Sequence, residues 1–156
     1  MKDILTVASY IASRYEREFG QNIEEMKLHK LLYFTQREAL IQTGGPIFPE
    51  ELQGWRLGPV SPEIRKPYQE DSFDKTVSDA DMEGYMGVMD YVFQNYAPKD
   101  AWSLSRLSHG ETCWKISRKG VAPSESSAEV IPTENIRLDA DRIRERRAML
   151  SQQNKL

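Results

Sequence analysis

The side chains in this sequence best suited to nucleophilic or soft-metal chemistry are His29, His109 and Cys113, and two of them lie four positions apart. On one helical face, His109 and Cys113 would read as a thiolate–imidazole pair or as two zinc ligands. Gly110 stands between them and is expected to break the helix, and structural zinc needs two further soft ligands. The simpler expectation is a helix-end histidine and a small buried thiol. No Gly-rich phosphate loop, CxxC pair, HExxH or nucleophile elbow accompanies them. The residues therefore point away from an enzyme, a metal site or a cofactor site.

Binding chemistry is better represented. Trp55 is followed by Arg56, and Trp114 by Lys115 and Arg118. Exposed Trp beside Arg is the composition of a protein–protein hot spot. The same residues would also suit indoles that pack a turn onto the domain while the cations snorkel, and the sequence leaves both readings open. Trp102 is expected in the core. The segment "GWRLGPVSPEI", Gly54 to Ile64, puts two Gly and two Pro around Trp55 and Arg56, so a rigid turn is expected there.

These residues need elements to position them. The 156 residues, 39% hydrophobic and 29% charged, suit one globular domain burying roughly 70% of its unfolded-state surface. A single cysteine permits no internal disulfide and suits a reducing compartment. The start "MKDILTVASY" lacks the apolar h-region of a signal peptide, and no apolar run reaches the roughly 20 residues of a membrane span. The expectation is a soluble, cytoplasmic chain. A net charge of −3 argues against a general nucleic-acid glove. The acidic stretch Glu70 to Glu83 and the basic stretch Arg142 to Leu150 read first as solvated surface, the latter alternatively as a helix for an acidic partner.

The periodicity predicts a mainly α, single multi-helix domain with a small β-hairpin or short strand element. Ile4, Val7, Ala8, Ile11 and Tyr15 mark a first helix fraying before "EFGQN". Asn22 and Glu25 form a capping-box pattern, opening a second helix that is apolar on many sides, hence central, and that ends at Gly44-Gly45-Pro46. Ile47 and Phe48 are expected to pair with residues 53–57 as a ribbon. Ser61-Pro62-Glu63 is a helix start, with Pro67 forcing that helix to be short or kinked. A helix is expected from the Ser78 cap through Met82, Tyr85, Met86, Met89, Val92 and Phe93. Two short helices should divide at Gly110. "AEVIP" is a short strand, and Thr133 caps a final helix through Leu150.

Three blocks carry a resemblance: "MKLHKLLYFTQREAL" (Met26 to Leu40), "GWRLGPVSPEI", and "AWSLSRLSHGETCWK" (Ala101 to Lys115). In this order they resemble the Panacea domain, the SocA-type antitoxin family, many members of which are phage-associated. Lys27, Leu28, Lys30, Leu31, Leu32, Tyr33, Phe34 and Gln36 match the family's first motif. Trp55, Gly58, Pro59 and Val60 match the second; Trp102, Leu104, Ser105, Leu107, His109 and Trp114 match the third. His29 stands where the family usually has Gln, Thr35 where it has Ala, Ser108 where it has Thr, and Cys113 where Pro is common. The resemblance spans about residues 4–135, so the expected division is an antitoxin domain over 1–135 and a C-terminal helix and tail over 133–156.

The resemblance implies a mostly helical antitoxin that neutralises a cognate protein toxin by direct binding. The alternative it leaves is a phage or mobile-element accessory protein, an adaptor that binds a host factor or a AAA+ protease. The expected partner-binding residues are Lys27, Lys30, Tyr33, Gln36, Trp55, Arg56, Pro59, Val60, His109, Trp114 and Lys115. Arg142, Arg144, Arg146 and Arg147 on the last helix are candidates for cognate-specific contacts, or for DNA binding by an autoregulator. The toxin and the oligomeric state are not legible.

Overall fold

The structure, a computed structural model, describes residues 1–154. The last two residues of the expected tail, 155–156, lie outside the described residues. Helix α1 (Ile4–Phe19) starts where the Asp3 carboxylate accepts from the Thr6 amide at 2.8 Å. It buries the predicted Ile4, Val7, Ala8, Ile11 and Tyr15. It does not fray before "EFGQN": it runs on to Phe19, whose ring stacks on Tyr15 at 4.6 Å, and ends at Gly20.

Helix α2 (Glu25–Thr43) is the centre of the fold, with every residue from Lys27 to Leu40 buried. Its N-cap is Glu24, and the expected Asn22–Glu25 capping box does not form. Burial of Leu28, Leu31, Leu32, Phe34 and Leu40, at about 2 kcal/mol each, outweighs a missing cap of about 1 kcal/mol. Helix α7 (Thr133–Gln153) lies along α2. Arg147 grips Glu38 through two 2.9 Å bonds, and Arg144 and Arg137 donate to the carbonyls of Ile41 and Gly44 at the end of α2. Pro132, not Thr133, is the N-cap of α7.

A three-stranded antiparallel sheet has the order β2-β1-β3, with β1 Leu52–Trp55, β2 Gly58–Val60 and β3 Val130–Ile131. Trp55 pairs with Gly58 and Gln53 with Val60, so Arg56 and Leu57 make the hairpin tip. The hairpin partner of 52–55 is thus the Gly-Pro-Val corner itself rather than Ile47-Phe48. Those two residues are held by the Gln36 side-chain amide, which accepts from the Ile47 amide at 2.9 Å and donates to the Phe48 carbonyl at 2.8 Å.

Helix α3 (Pro62–Gln69) is short, with Pro67 inside it, as its sequence predicts. The helix expected from Ser78 onward is split: a 3₁₀ turn (Asp79–Met82) with a Ser78–Asp81 capping box, then α4 (Met86–Asn95). Gly84, at φ +89°, takes the left-handed turn that separates them. Helices α5 (Ala101–His109) and α6 (Thr112–Ser117) divide at Gly110. Trp102 is not core: it is 63% exposed. The buried stripe of α5 is Ala101, Leu104, Ser105 and Ser108, which turns Trp102 outward. No helix among the described residues is long and apolar enough to cross a membrane.

Candidate functional site

The hairpin carrying Trp55 and Arg56 is fastened from behind by α5 and α6. Ser105 donates its hydroxyl to the Leu57 carbonyl at 2.6 Å, and the Trp114 indole N–H donates to the Trp55 carbonyl at 2.8 Å. Arg118 donates to the Gly54 carbonyl at 3.1 Å, with its guanidinium over the Trp114 ring. His109 stacks on Trp114, centroids 4.2 Å apart and nearly parallel, with Ser105 Oγ 3.4 Å from its Nε2. The second and third sequence blocks thus meet as one unit.

Helix α2 holds the hairpin from its other side. The Ser61 amide donates to His29 Nδ1 at 3.2 Å, which leaves Nε2 as the protonated nitrogen facing Glu25 Oε2 at 3.3 Å. Burial pushes the His29 pKa well below the ordinary histidine value, so the ring is neutral. Gly58, at φ +121°, passes so close to α2 and α5 that a Cβ there would meet Ser108 Oγ at 2.5 Å and Lys30 Nζ at 2.9 Å.

Between α2, the hairpin and α3 lies a cleft of about 450 Å³. Met26, Trp55, Leu57 and Val60 give it apolar walls, and Lys30, Arg56 and Arg65 give it positive charge. Arg65 sits over the Trp55 ring at 5.1 Å, and the Trp55 N–H donates to Gln53 Oε1 at 2.8 Å. Trp55 is consequently half-buried and rigid, while Arg56 projects from the tip.

Of the expected binding residues, Lys30, Trp55, Arg56 and Val60 converge on this cleft. His109 and Trp114 form the support behind the hairpin, and Lys115 is exposed on α6. Lys27, Tyr33, Gln36 and Pro59 are buried too, but unlike Lys30 and Val60 they do not line the cleft. Lys27 turns back to donate to the Tyr15 hydroxyl at 3.0 Å. Gln36 clamps the loop at Ile47-Phe48. Pro59 is inside β2.

Tyr33 belongs to a buried polar network that the sequence did not announce. Its hydroxyl donates to Glu111 Oε2 at 2.9 Å, and Arg37 pairs with Glu111 Oε1. Asp139 of α7 accepts from the backbone amides of Thr112 and Cys113 at 2.8 and 2.9 Å, capping α6. Cys113 Sγ is 3.3 Å from the Tyr33 hydroxyl, and burial raises its thiol pKa far above the usual value. With His109 stacked on Trp114 and Cys113 facing Tyr33, the two make no thiolate–imidazole pair. Among the described residues, no group of three or more His, Cys, Asp or Glu side chains is placed to share a metal ion.

The basic stretch of α7 is largely spent within the molecule. Arg142 pairs with Asp139 at 3.0 Å, Arg144 with Asp141 at 3.2 Å, and Arg147 with Glu38. Arg146 is the exposed arginine of this stretch without an ion pair among the described residues. Arg65 and Met26 were missed as cleft residues because they become neighbours of Trp55 only through tertiary packing. Exposed Trp102 could have been recognised from its place outside the Ala101–Leu104–Ser105–Ser108 stripe.

The sequence profile of the family described as "Antitoxin SocA-like, Panacea domain" matches residues 28–115, more than half of the chain. Neither curated proteins nor solved structures give a significant match. The matched stretch begins in α2, includes the hairpin, α3 and α5 and ends in α6, so it holds the elements that build the cleft and its support, and the chain belongs to the SocA-like antitoxin, Panacea domain family.

Proposed function

We propose that the protein is a cytoplasmic antitoxin that neutralises a cognate protein toxin by direct binding, and that the toxin docks on the hairpin and its cleft. Family membership supports the antitoxin role. The observation that carries the docking reading is the hairpin itself: Trp55 and Arg56 stand on a hairpin whose carbonyls at Gly54, Trp55 and Leu57 are bonded by Arg118, Trp114 and Ser105 of the α5–α6 region. A surface already fixed this firmly loses little conformational entropy on docking. Trp and Arg are also the side chains most often found at the energetic centre of interfaces.

The test is co-expression with the neighbouring gene products. One of them should arrest growth alone, grow normally beside this chain and co-purify with it. Arg56→Glu should abolish both rescue and co-purification while leaving the circular dichroism spectrum unchanged. If no neighbouring product is toxic, the antitoxin role fails; if Arg56→Glu rescues fully, the docking surface is elsewhere.

A further inference from the structure

The cleft beneath the hairpin contains a cation with no counter-ion. Lys30 is only 1% exposed, and its side chain runs from α2 to beneath Gly58. Among the described residues its Nζ makes no hydrogen bond and no ion pair. Burial brings its pKa down from 10.5 to about 7, with no carboxylate nearby to hold it up.

Apart from Glu25, the groups around Lys30 in the cleft add positive charge or none. His29, beside it on α2, is neutral. Arg56 comes from the hairpin and Arg65 from α3. His109 of α5 and Arg118, just after α6, stand behind, and burial, followed by the charge of Lys30, lowers the His109 pKa. Glu25 is the acidic residue lining the cleft, and it is already engaged by Arg65 and His29, each at 3.3 Å. A buried cation left without a partner is strongly unfavourable, and here it sits at the wall of an open cavity rather than inside the core.

We propose that the cleft is a receptor for one carboxylate side chain of the bound partner: an Asp or Glu flanked by apolar residues enters beneath the hairpin and pairs with Lys30. The charge complementarity is threefold, with Lys30 within and Arg56 and Arg65 at the cleft walls. Met26, Trp55, Leu57 and Val60 supply contact area for the apolar neighbours of that residue. Pairing in a water-poor cleft is stronger than on an open surface, and it fixes the proton on Lys30. That the carboxylate arrives on a protein rests on the antitoxin reading; that the cleft takes a carboxylate does not.

The experiment uses the full chain with ¹³Cε-labelled lysine, followed by NMR. Lys30 is recognised by its titration midpoint near neutrality, well below the exposed lysines. The probes are the capped tripeptides Ac-Leu-Glu-Leu-NH₂ and Ac-Leu-Gln-Leu-NH₂, and sodium acetate. The Glu peptide should move the Lys30 signal saturably and raise its midpoint by about one unit, a tenfold coupling of proton and ligand. The Gln peptide should leave it in place, and acetate should bind at least tenfold more weakly. In Lys30→Met, the Trp55 indole signal should no longer respond to the Glu peptide. If neither the Glu peptide nor acetate moves Lys30, or if Glu and Gln peptides act alike, the site is overturned. If acetate binds as well as the Glu peptide, the protein origin of the ligand is overturned. Failure of the antitoxin reading shows separately, as absence of a toxic neighbour.

Discussion

The Trp114 indole N–H donates to the Trp55 carbonyl across 2.8 Å, joining residues 59 positions apart and tying α6 to the turn of the hairpin. This one bond is what makes two tryptophans from separate sequence blocks a single structural unit. It also explains why Trp114 is half-buried behind the hairpin rather than offered to a partner.

Trp114→Phe should therefore loosen the hairpin while retaining most of the ring's packing on His109. Loss of a single neutral hydrogen bond with its carbonyl left partly shielded costs about 1–2 kcal/mol. Urea unfolding should show that loss. Hydrogen exchange should show faster opening of the β1–β2 amides, with α1 and the middle of α2 unchanged.

Gly58→Ala should be more costly. The backbone there has φ +121°, and the added Cβ would collide with Ser108 Oγ on one side and Lys30 Nζ on the other. Strain and overpacking of about 1–3 kcal/mol each predict a loss of roughly 2–5 kcal/mol in urea unfolding. The crowding falls on Lys30, so its titration midpoint should shift in the same variant even where the fold survives.

Most of this helical architecture was legible because its signals are local. The stripe of α1, the Gly44 exit of α2, the short proline-bearing α3 and the Gly110 break all follow from residues close in sequence. What escaped prediction was decided by tertiary partners. Gln36 replaces a strand as the partner of Ile47-Phe48, and the hairpin closes on Gly58 instead. Lys27, Tyr33 and Gln36 look like surface polar residues in sequence, yet α2 is enclosed on all sides and each finds a buried partner. Of that motif's polar residues, Lys30 is buried without such a partner, and that distinction cannot be read from residue type.

Glu111→Gln should be among the most damaging single changes to stability. Glu111 receives the Tyr33 hydroxyl and the Arg37 guanidinium in a buried setting, and Arg37 Nε already lacks a partner. Removing the anion leaves a buried arginine uncompensated, at a cost of about 3–5 kcal/mol. Thermal unfolding should fall accordingly, and Glu111→Gln combined with Arg37→Met should recover part of the loss.

Cys113 should be inert in the folded protein. It is 0% exposed, packed against the Tyr33 hydroxyl, and burial keeps its thiol protonated at neutral pH. An aromatic disulfide reagent should label it only on the timescale of unfolding, and at full stoichiometry in denaturant. Rapid native labelling would mean that α6 opens without global unfolding.

Lys30 should dominate the pH dependence of stability above neutrality. Its folded pKa is near 7 and its unfolded value is 10.5, so between those limits the unfolded chain binds more protons. Stability therefore rises with pH from about 7 to about 9; above that the Cys113 thiol, which burial holds protonated, offsets the rise, and the buried Tyr10 and Tyr33 hydroxyls then reverse the slope. A separation of this size corresponds to about 4–5 kcal/mol at roughly 1.4 kcal/mol per unit. Below pH 6.5 the slope has the same sign for a second reason. His29 is kept neutral in the fold but protonates in the unfolded chain, so stability falls further as pH drops. Lys30→Met separates the two: it should stabilise the protein by several kcal/mol at pH 7, flatten the curve between about pH 7 and 8.5, and leave the acid limb intact. Urea unfolding of both proteins at pH 5, 7 and 9 would measure this. Equal stability of the two chains at pH 7 would mean that the ammonium is already compensated in the free protein, and a stabilised Lys30→Met chain that fails to rescue growth in the co-expression test would show the buried cation retained for binding at the expense of stability.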